Sequence, residues 1–437
     1  MVRKFALCCF GAAVLAVAAA NQHSDLDPAF QGIPFDQWLT EHTNSHFRWK
    51  VRVARPELSF HLRLLTRVEV ELDGRDLQSR RGDGQLVLLV QITGHGEARY
   101  QRHTTIELGK LDPNIKAAML EIAQPAMILP GDYQLAVAIL DVTTHEHSTI
   151  QQRFRVAQPQ QQSDFLTDAW RDLPAVEFLD KEESPDSWYR PEVQGRLQWA
   201  TSIGAPARLN LILNMAPSVP EPGSRPTPSN GLPALLPTLK VLAEAGSASL
   251  SKSVNVLDLG RRRDVFSQSD GKDLDWSLLK ASLGGANTAT IDVHTLSEPH
   301  HDAQFFVSEV RRVLRASEKP SVLVVLTTPV AFESGEDLQP ISLEALPPSR
   351  VFYIRYHAPV ERIHPFGPQM GGRGRGGRMG GGRPMRGQTA HDVVDQLEAT
   401  LKPLHPRVFD VETPEEMIKT LTEIKNGLLT FDGQSSP

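Results

Sequence analysis

The sequence predicts a multidomain chain, with an N-terminal antiparallel β-sandwich followed by a C-terminal α/β doubly wound domain. Three observations carry that expectation. Between residues 46 and 157 apolar and polar side chains alternate with a period of two, as strands with one solvated face require. Beyond residue 195 short apolar runs alternate with helix-period segments, which is the pattern of a mainly parallel sheet covered by helices. Between the two lies Pro159–Ser163, with three glutamines, a composition that reads as a linker.

The N-terminus is read first. Arg3 and Lys4 precede an apolar run from Phe5 to Val17, and Ala18-Ala19-Ala20 offers a small-residue cleavage site. This predicts a secretory signal over residues 1–20 and a protein exported to the periplasm or the extracellular space. The run is shorter than the ~20 residues of a spanning helix, so no membrane span is expected after cleavage. A retained anchor is the competing reading. Cys8 and Cys9, both within the signal, are the only cysteines. The remaining chain then offers no disulfide, no thiol nucleophile and no zinc-thiolate site.

The 437 residues, 40% hydrophobic and 22% charged, suffice for two or three cores. Loss of the signal removes Arg3 and Lys4 and no acid, so the formal charge of −6 becomes −8. A mildly acidic body argues against general nucleic-acid binding.

Residues 21–45 form an N-terminal segment ahead of the sandwich at 46–157. There, Arg67-Val68-Glu69-Val70-Glu71-Leu72 alternates strictly. Leu86 to Ile92 is a more continuous apolar run, expected of a better buried strand. Pro130-Gly131-Asp132 is a turn signal, and Tyr133, Leu135, Val137 and Ile139 alternate after it. Phe154 and Val156 close the region. Roughly seven strands separated by turns favour a sandwich, and the Pro-Gly-Asp-Tyr start of a late strand resembles immunoglobulin and fibronectin modules. Residues 158–194, with acidic clusters, Trp170 and Trp188, are expected to be an irregular connector docked through its aromatics.

Within 195–437 the expected strands are Leu209–Leu213, Val254–Leu257, Ala289–Val293, Val322–Leu326, Val351–Ile354 and Val408–Val411. Phe306, Val310, Val313 and Leu314 share one helix face, with Asp302 placed as its cap. Thr413-Pro414-Glu415-Glu416 is a capping box with Pro at the first helical position. Met417, Leu421, Ile424 and Leu428 form the buried stripe of the helix that follows.

The strand Leu209–Leu213 runs into Asn214-Met215-Ala216-Pro217-Ser218, then a Pro/Gly/Ser-rich loop, then a helix. This context resembles the first strand and metal loop of the von Willebrand factor A domain, whose pattern is Asp-x-Ser-x-Ser. Asn214, Ala216 and Ser218 stand at its three positions. In that family a loop after a later strand completes the metal's coordination with an Asp. Here the corresponding loop is Thr327-Thr328-Pro329-Val330, with no carboxylate before Glu333. The resemblance implies an A-like α/β domain over residues 195–437 with a degenerate metal site. Mg²⁺ demands hard oxygen ligands, normally including a carboxylate, so no bound metal or other cofactor is expected. Asn214 and Ser218 are then expected to satisfy backbone groups at the strand end. A metal-free partner surface on the same face stays open, because open α/β sheets bind ligands at the carboxyl ends of their strands.

Two other clusters are candidates. Asp292, His294, Glu298, His300, His301 and Asp302 have the composition of a metal site, and such a site would make the chain a metal-dependent hydrolase. The spacing opposes this, since adjacent His300 and His301 diverge in a strand and there is no HExxH. His145 and His147 fall where a polar hairpin turn is expected. The Arg/Gly-rich insertion 362–388 carries Arg362, Arg373, Arg375, Arg378, Arg383 and Arg386, with no acid from Ile363 through His391. It is expected to be a disordered loop, with binding to RNA, acidic polysaccharide or anionic lipid as the alternative. Gly372, Gly374 and Gly377 spell GxGxxG, but no strand leads directly into them. Arg81-Gly82-Asp83 is a tripeptide in an expected turn. No GxSxG elbow and no plausible triad occur. The expected function is therefore non-catalytic binding or scaffolding at the cell envelope, with another envelope or extracellular protein as partner.

Overall fold

The computed structural model describes residues 24–41, 47–80, 82, 84–159, 166, 169–170, 173–179, 207–216, 231–244, 250–269, 274–284, 302–317, 320–330, 340–342, 346–357 and 395–429. The described residues are β-rich and form three sheets. The signal, Trp188, Arg81 and Asp83, and the expected strand at Ala289–Val293 lie outside the described residues.

The N-terminal half contains β1 (Trp49–Val53), β2 (Glu57–Leu58), β3 (Leu64–Asp73), β4 (Gln85–Thr93), β5 (Arg99–Glu107), β6 (Met119–Ile128), β7 (Gly131–Asp141), β8 (His147–Val156) and β9 (Val176–Phe178). All pair antiparallel. One sheet has the order β1-β3-β6-β9 with β2 on β3, and the other has the order β5-β4-β7-β8. Val68, Val70 and Leu72 of β3 share a core with Leu86, Leu88, Val90 and Ile92 of β4 and with Leu135, Val137 and Ile139 of β7. Side-chain hydrogen bonds tie the two sheets. Trp49 Nε1 donates to Ser148 Oγ at 2.9 Å, and Gln124 Nε2 donates to Thr104 Oγ1.

The continuous apolar run of β4 has a specific cause. Its even-numbered side chains face that core, while Leu89 packs outward with Ala136 and Ala138 against Phe30, Phe35 and Trp38. Residues just downstream of the expected signal thus cover the outer face of the second sheet. Segment 158–194 was expected to be irregular, yet it supplies β9, which pairs with Ala126–Ile128. Three residues are too short a run for periodicity to reveal. Trp170 does dock, its Nε1 donating to the Leu62 carbonyl at 2.7 Å.

The six-stranded sheet comprises β10 (Ala207–Asn214), β11 (Leu250–Asp258), β12 (Arg263–Ser269), β13 (Ser321–Thr327), β14 (Ser349–Tyr356) and β15 (Arg407–Val411). Its order is β12-β11-β10-β13-β14-β15. All neighbours are parallel except β12, which runs antiparallel to β11 at the edge. Strand β12 is not among the expected strands. Only Phe266 in it is buried, so it lacks the apolar run that marks the others.

Helices cover both faces. Helices α1 (Leu232–Ala243), α2 (Trp276–Gly284), α3 (Asp302–Arg315), α4 (Gln396–Leu401) and α5 (Pro414–Leu429) alternate with the strands. Leu235, Leu239 and Leu242 of α1 and Met417, Leu421, Ile424 and Leu428 of α5 pack on the face presented by Leu211, Val324 and Ile354. Phe306, Val310, Val313 and Leu314 of α3 and Leu397 and Leu401 of α4 pack on the other, against Ile212, Leu323, Val325 and Tyr353. The α5 start forms the capping box. Glu416 N donates to Thr413 Oγ1 at 3.3 Å, and Glu416 Oε2 accepts from the N–H groups of Glu412 and Thr413 at 2.8 and 3.2 Å. Asp302, expected as the cap of α3, is instead its first helical residue. Its carboxylate lies 3.5 Å from Arg262 Nε. No helix among the described residues is long and apolar enough to cross a membrane.

Candidate functional site

The chain leaves β10 toward one side of the sheet and β13 toward the other, so the carboxyl ends of these adjacent strands mark the topological switch point. Asn214 ends β10 and Thr327 ends β13. Both side chains are completely buried, as is Thr328 beside them.

Every polar atom of the Asn214 side chain that could face a ligand is engaged. Its Nδ2 donates to Thr327 Oγ1 at 2.9 Å. Its Oδ1 accepts from Ala216 N at 3.0 Å and from Leu259 N at 3.4 Å. Thr327 Oγ1 in turn donates to the Thr328 carbonyl at 2.7 Å. The carboxamide therefore stitches β10, the turn after β11 and β13 together. A carboxylate in its place would have no proton to give Thr327, and it would bring a charge into a completely buried position. Thr328 Oγ1 is buried with no hydrogen-bond partner among the described residues.

Asp258, at the end of the neighbouring strand β11, is also committed. Arg261 Nη1 and Arg263 Nη2 each lie 3.5 Å from it. Among the described residues no group of three or more His, Cys, Asp or Glu side chains is arranged to hold a metal ion. The structure thus brings Asn214, Ala216, Thr327 and Thr328 to one place. Ser218, His294, His300, His301 and all six arginines from Arg362 to Arg386 lie outside the described residues, as do Asp292 and Glu298. His145, with φ 59°, sits in the β7–β8 turn, and the ring of His147 stacks on Trp38.

A second polar cluster, built on Tyr353 of β14 and not anticipated, lies on the sheet face that also carries Ile212, Leu323 and Val325. Tyr353 OH donates to Asp395 Oδ2 at 2.7 Å. Arg355 Nη1 reaches Asp395 Oδ2 at 3.4 Å and Glu398 Oε2 at 2.8 Å, while its Nη2 donates to Asp410 Oδ2 at 2.8 Å. His357 Nε2 lies 2.7 Å from Asp410 Oδ1. Burial pushes the Tyr353 hydroxyl well above its ordinary value, and the Asp395 charge adds to the effect. Burial also raises Asp395, against the pull of Tyr353 and Arg355. For Asp410 burial acts upward too, but the hydrogen bonds from Arg355 and His357 outweigh it and hold the carboxyl below the usual range.

The cluster joins β14, β15 and the start of α4, where Asp395 also caps Leu397 N at 3.2 Å. Asp395 and Glu398 line an open groove of about 520 Å³ with Lys402 and His405. One signal in the sequence points to it. Tyr353 and Arg355 occupy alternate positions of β14, and His357 follows at the same spacing just beyond its end, so the period of two places all three on one face. Their partners lie some 40 to 55 residues away, at 395, 398 and 410, and no local motif could find them.

No family model and no curated protein matches the chain. Among solved structures it is similar to an X-ray structure of the structural-genomics target SoR45, with 15% identity over 28% of this chain and 94% of that chain and a TM-score of 0.18. It is also similar to the crystal structure of an ApaA candidate protein from Bordetella pertussis, with 14% identity over 26% of this chain and 98% of that chain and a TM-score of 0.17. At these scores neither likeness carries an argument.

Proposed function

We propose that this chain is an exported, non-catalytic binding or scaffolding protein of the cell envelope, whose α/β part is a von Willebrand factor A-like domain without its ion. The carrying observation is the Asn214 carboxamide. At the position where the family's pattern has Asp, this residue spends both polar atoms on strand ends of its own sheet. The sheet order supports the A-like reading. Counted from β10, it is 3-2-1-4-5-6, the doubly wound order.

The N-terminal half is read as an immunoglobulin- or fibronectin-like sandwich. Its two antiparallel sheets share one core, and Tyr133 OH donates to the Leu129 carbonyl at 2.8 Å. A tyrosine hydroxyl bonded a few residues upstream is a recurring feature of such sandwiches. The partner is another envelope or extracellular protein, and the residues that face it are the solvated loops at the strand ends.

Two measurements test this reading. Equilibrium dialysis of the full chain against millimolar Mn²⁺ is expected to leave no ion bound. One Mn²⁺ per chain that disappears in Asn214→Ala would overturn it. Cell fractionation is expected to place the chain in the envelope or medium with a new N-terminus near Asn21, and cytoplasmic retention of the full chain contradicts export.

A second reading rests on the run from Ile363 through His391, which has arginines and no acid. Such a run attracts polyanions in a salt-dependent way. Retention of the full chain on heparin, lost on deleting residues 362–388, supports it. Equal retention without them removes it.

A further inference from the structure

The carboxyl end of the six-stranded sheet meets the N-terminal half of the chain at one aromatic pair. Phe60 and Tyr356 stand edge to face, with ring centroids 5.3 Å apart and planes at 89°. One contiguous apolar cluster contains residues of both halves.

Phe60 is presented by a tightly built turn. Leu62 N donates to the Ser59 carbonyl at 2.8 Å, Ser59 N to the Arg63 carbonyl at 2.9 Å, and Ser59 Oγ to the same carbonyl at 2.8 Å. Leu62 is held at φ 56°, a left-handed conformation that a branched L side chain adopts only when its surroundings enforce it. The enforcement is visible. Leu62 and Arg63 are completely buried, the Trp170 indole bonds the Leu62 carbonyl, and the Arg63 guanidinium pairs with Glu177 of β9. The same turn connects β2 to β3, where Leu58 pairs with Leu64. Together they fix where Phe60 points.

The receiving side is shaped as well. Tyr356 is the last residue of β14 and is 8% exposed. Its ring fits because Gly231, just before α1, has no side chain. A Cβ there would stand 3.1 Å from Tyr356 Cδ1 and 2.6 Å from Thr328 Cγ2, and Gly231 has φ 63°. Gly231 therefore places Tyr356 and Thr328 side by side, so Phe60 sits on the neighbour of the switch-point residues.

We propose that the Ser59–Arg63 turn is a latch. It seats Phe60 on Tyr356, couples the two halves of the chain, and closes the carboxyl-end face of the sheet beside the switch point. The latch goes beyond the A-like reading and does not depend on it, since only the contact and the sheet edge enter the argument.

Hydrogen exchange measured by mass spectrometry on the full chain tests it, with Phe60→Ala, Tyr356→Ala and the double variant. Phe60→Ala is expected to speed exchange at 231–235 and 354–357, and Tyr356→Ala to speed it at 59–63. Each effect should be on the order of threefold to tenfold, the range an aromatic pair supports, and the double variant should add nothing further. Unchanged exchange on the far side, or effects that multiply in the double variant, would overturn the latch. Should Phe60→Ala loosen the N-terminal sheets generally, faster exchange in β4 and β7 reveals it. Phe60→Leu, which keeps apolar bulk and removes the ring, must then reproduce the far-side change with β4 and β7 still protected. Failure to do so overturns the latch as well.

Discussion

Asn214 Nδ2 donates to Thr327 Oγ1 across 2.9 Å, and that single bond joins the ends of the two strands from which the sheet is wound in opposite directions. Open α/β sheets ordinarily leave a crevice at this place for a ligand. Here the two strand ends are bridged by a neutral amide and a hydroxyl, both completely buried. A neutral pair serves better than a carboxylate would, because an unpaired buried charge is far more costly than a bonded amide.

The first prediction follows from that bond. Asn214→Ala strands the Ala216 and Leu259 N–H groups and is expected to cost about 1–3 kcal/mol. Asn214→Asp removes the donor to Thr327 and buries a charge, and is expected to cost more, roughly 3–5 kcal/mol at neutral pH. Urea denaturation of both variants measures this. An Asp variant as stable as the parent in EDTA would contradict the arrangement.

The second prediction contrasts two ion pairs. Arg63 and Glu177 are both buried, whereas the Arg52 side chain paired with Glu69 is 68% exposed. Burial lowers the Arg63 pKa, and Glu177 opposes the shift. Removing the carboxylate leaves a buried cation short of its counter-charge. Glu177→Ala is therefore expected to cost ~3–5 kcal/mol, and Glu69→Ala less than ~1 kcal/mol. Thermal denaturation of the two variants side by side decides it, and similar losses would refute the contrast.

A third prediction concerns acid. Asp141 accepts from Thr143 N at 2.9 Å, from Thr144 N at 3.1 Å and from Arg80 Nη1 at 3.0 Å. Burial raises its pKa, but these bonds outweigh burial and hold it below the ordinary 3.8. A carboxyl depressed in the folded state stabilises the fold above its unfolded pKa, and that stability is lost as pH falls through the folded value. The melting temperature of Asp141→Asn is thus expected to fall less steeply than the parent's below the ordinary aspartate value. Parallel curves for the two proteins would show that Asp141 does not carry the effect.

How much of this was legible in the sequence depended on how local each signal is. The stripe Met417, Leu421, Ile424, Leu428 and the Thr413–Glu416 box lie within one helix, and the structure buries and bonds them as the spacing requires. The long run of β4 marked a better buried strand, although not which residues cover its outer face. Strand β12 escaped because an edge strand buries only Phe266, and β9 because three residues carry no period. The Tyr353–Arg355–His357 face alternates visibly, yet its acids arrive from two later segments. Leu62 has no signature at all, since the contacts around this left-handed leucine come from Trp170, which bonds its carbonyl, and from Glu177, which pairs with Arg63, both more than a hundred residues away in sequence.

On the proposed reading the switch point of this sheet is held by Asn214 and not by an ion. Urea denaturation of the unaltered full chain in EDTA, and again in saturating Mg²⁺ or Mn²⁺, tests it most directly. An ion bound at a hundredfold excess over its Kd would add ~2.7 kcal/mol to the folded state. The structure predicts curves that superimpose. A shift of that size, absent in Asn214→Ala, would contradict it.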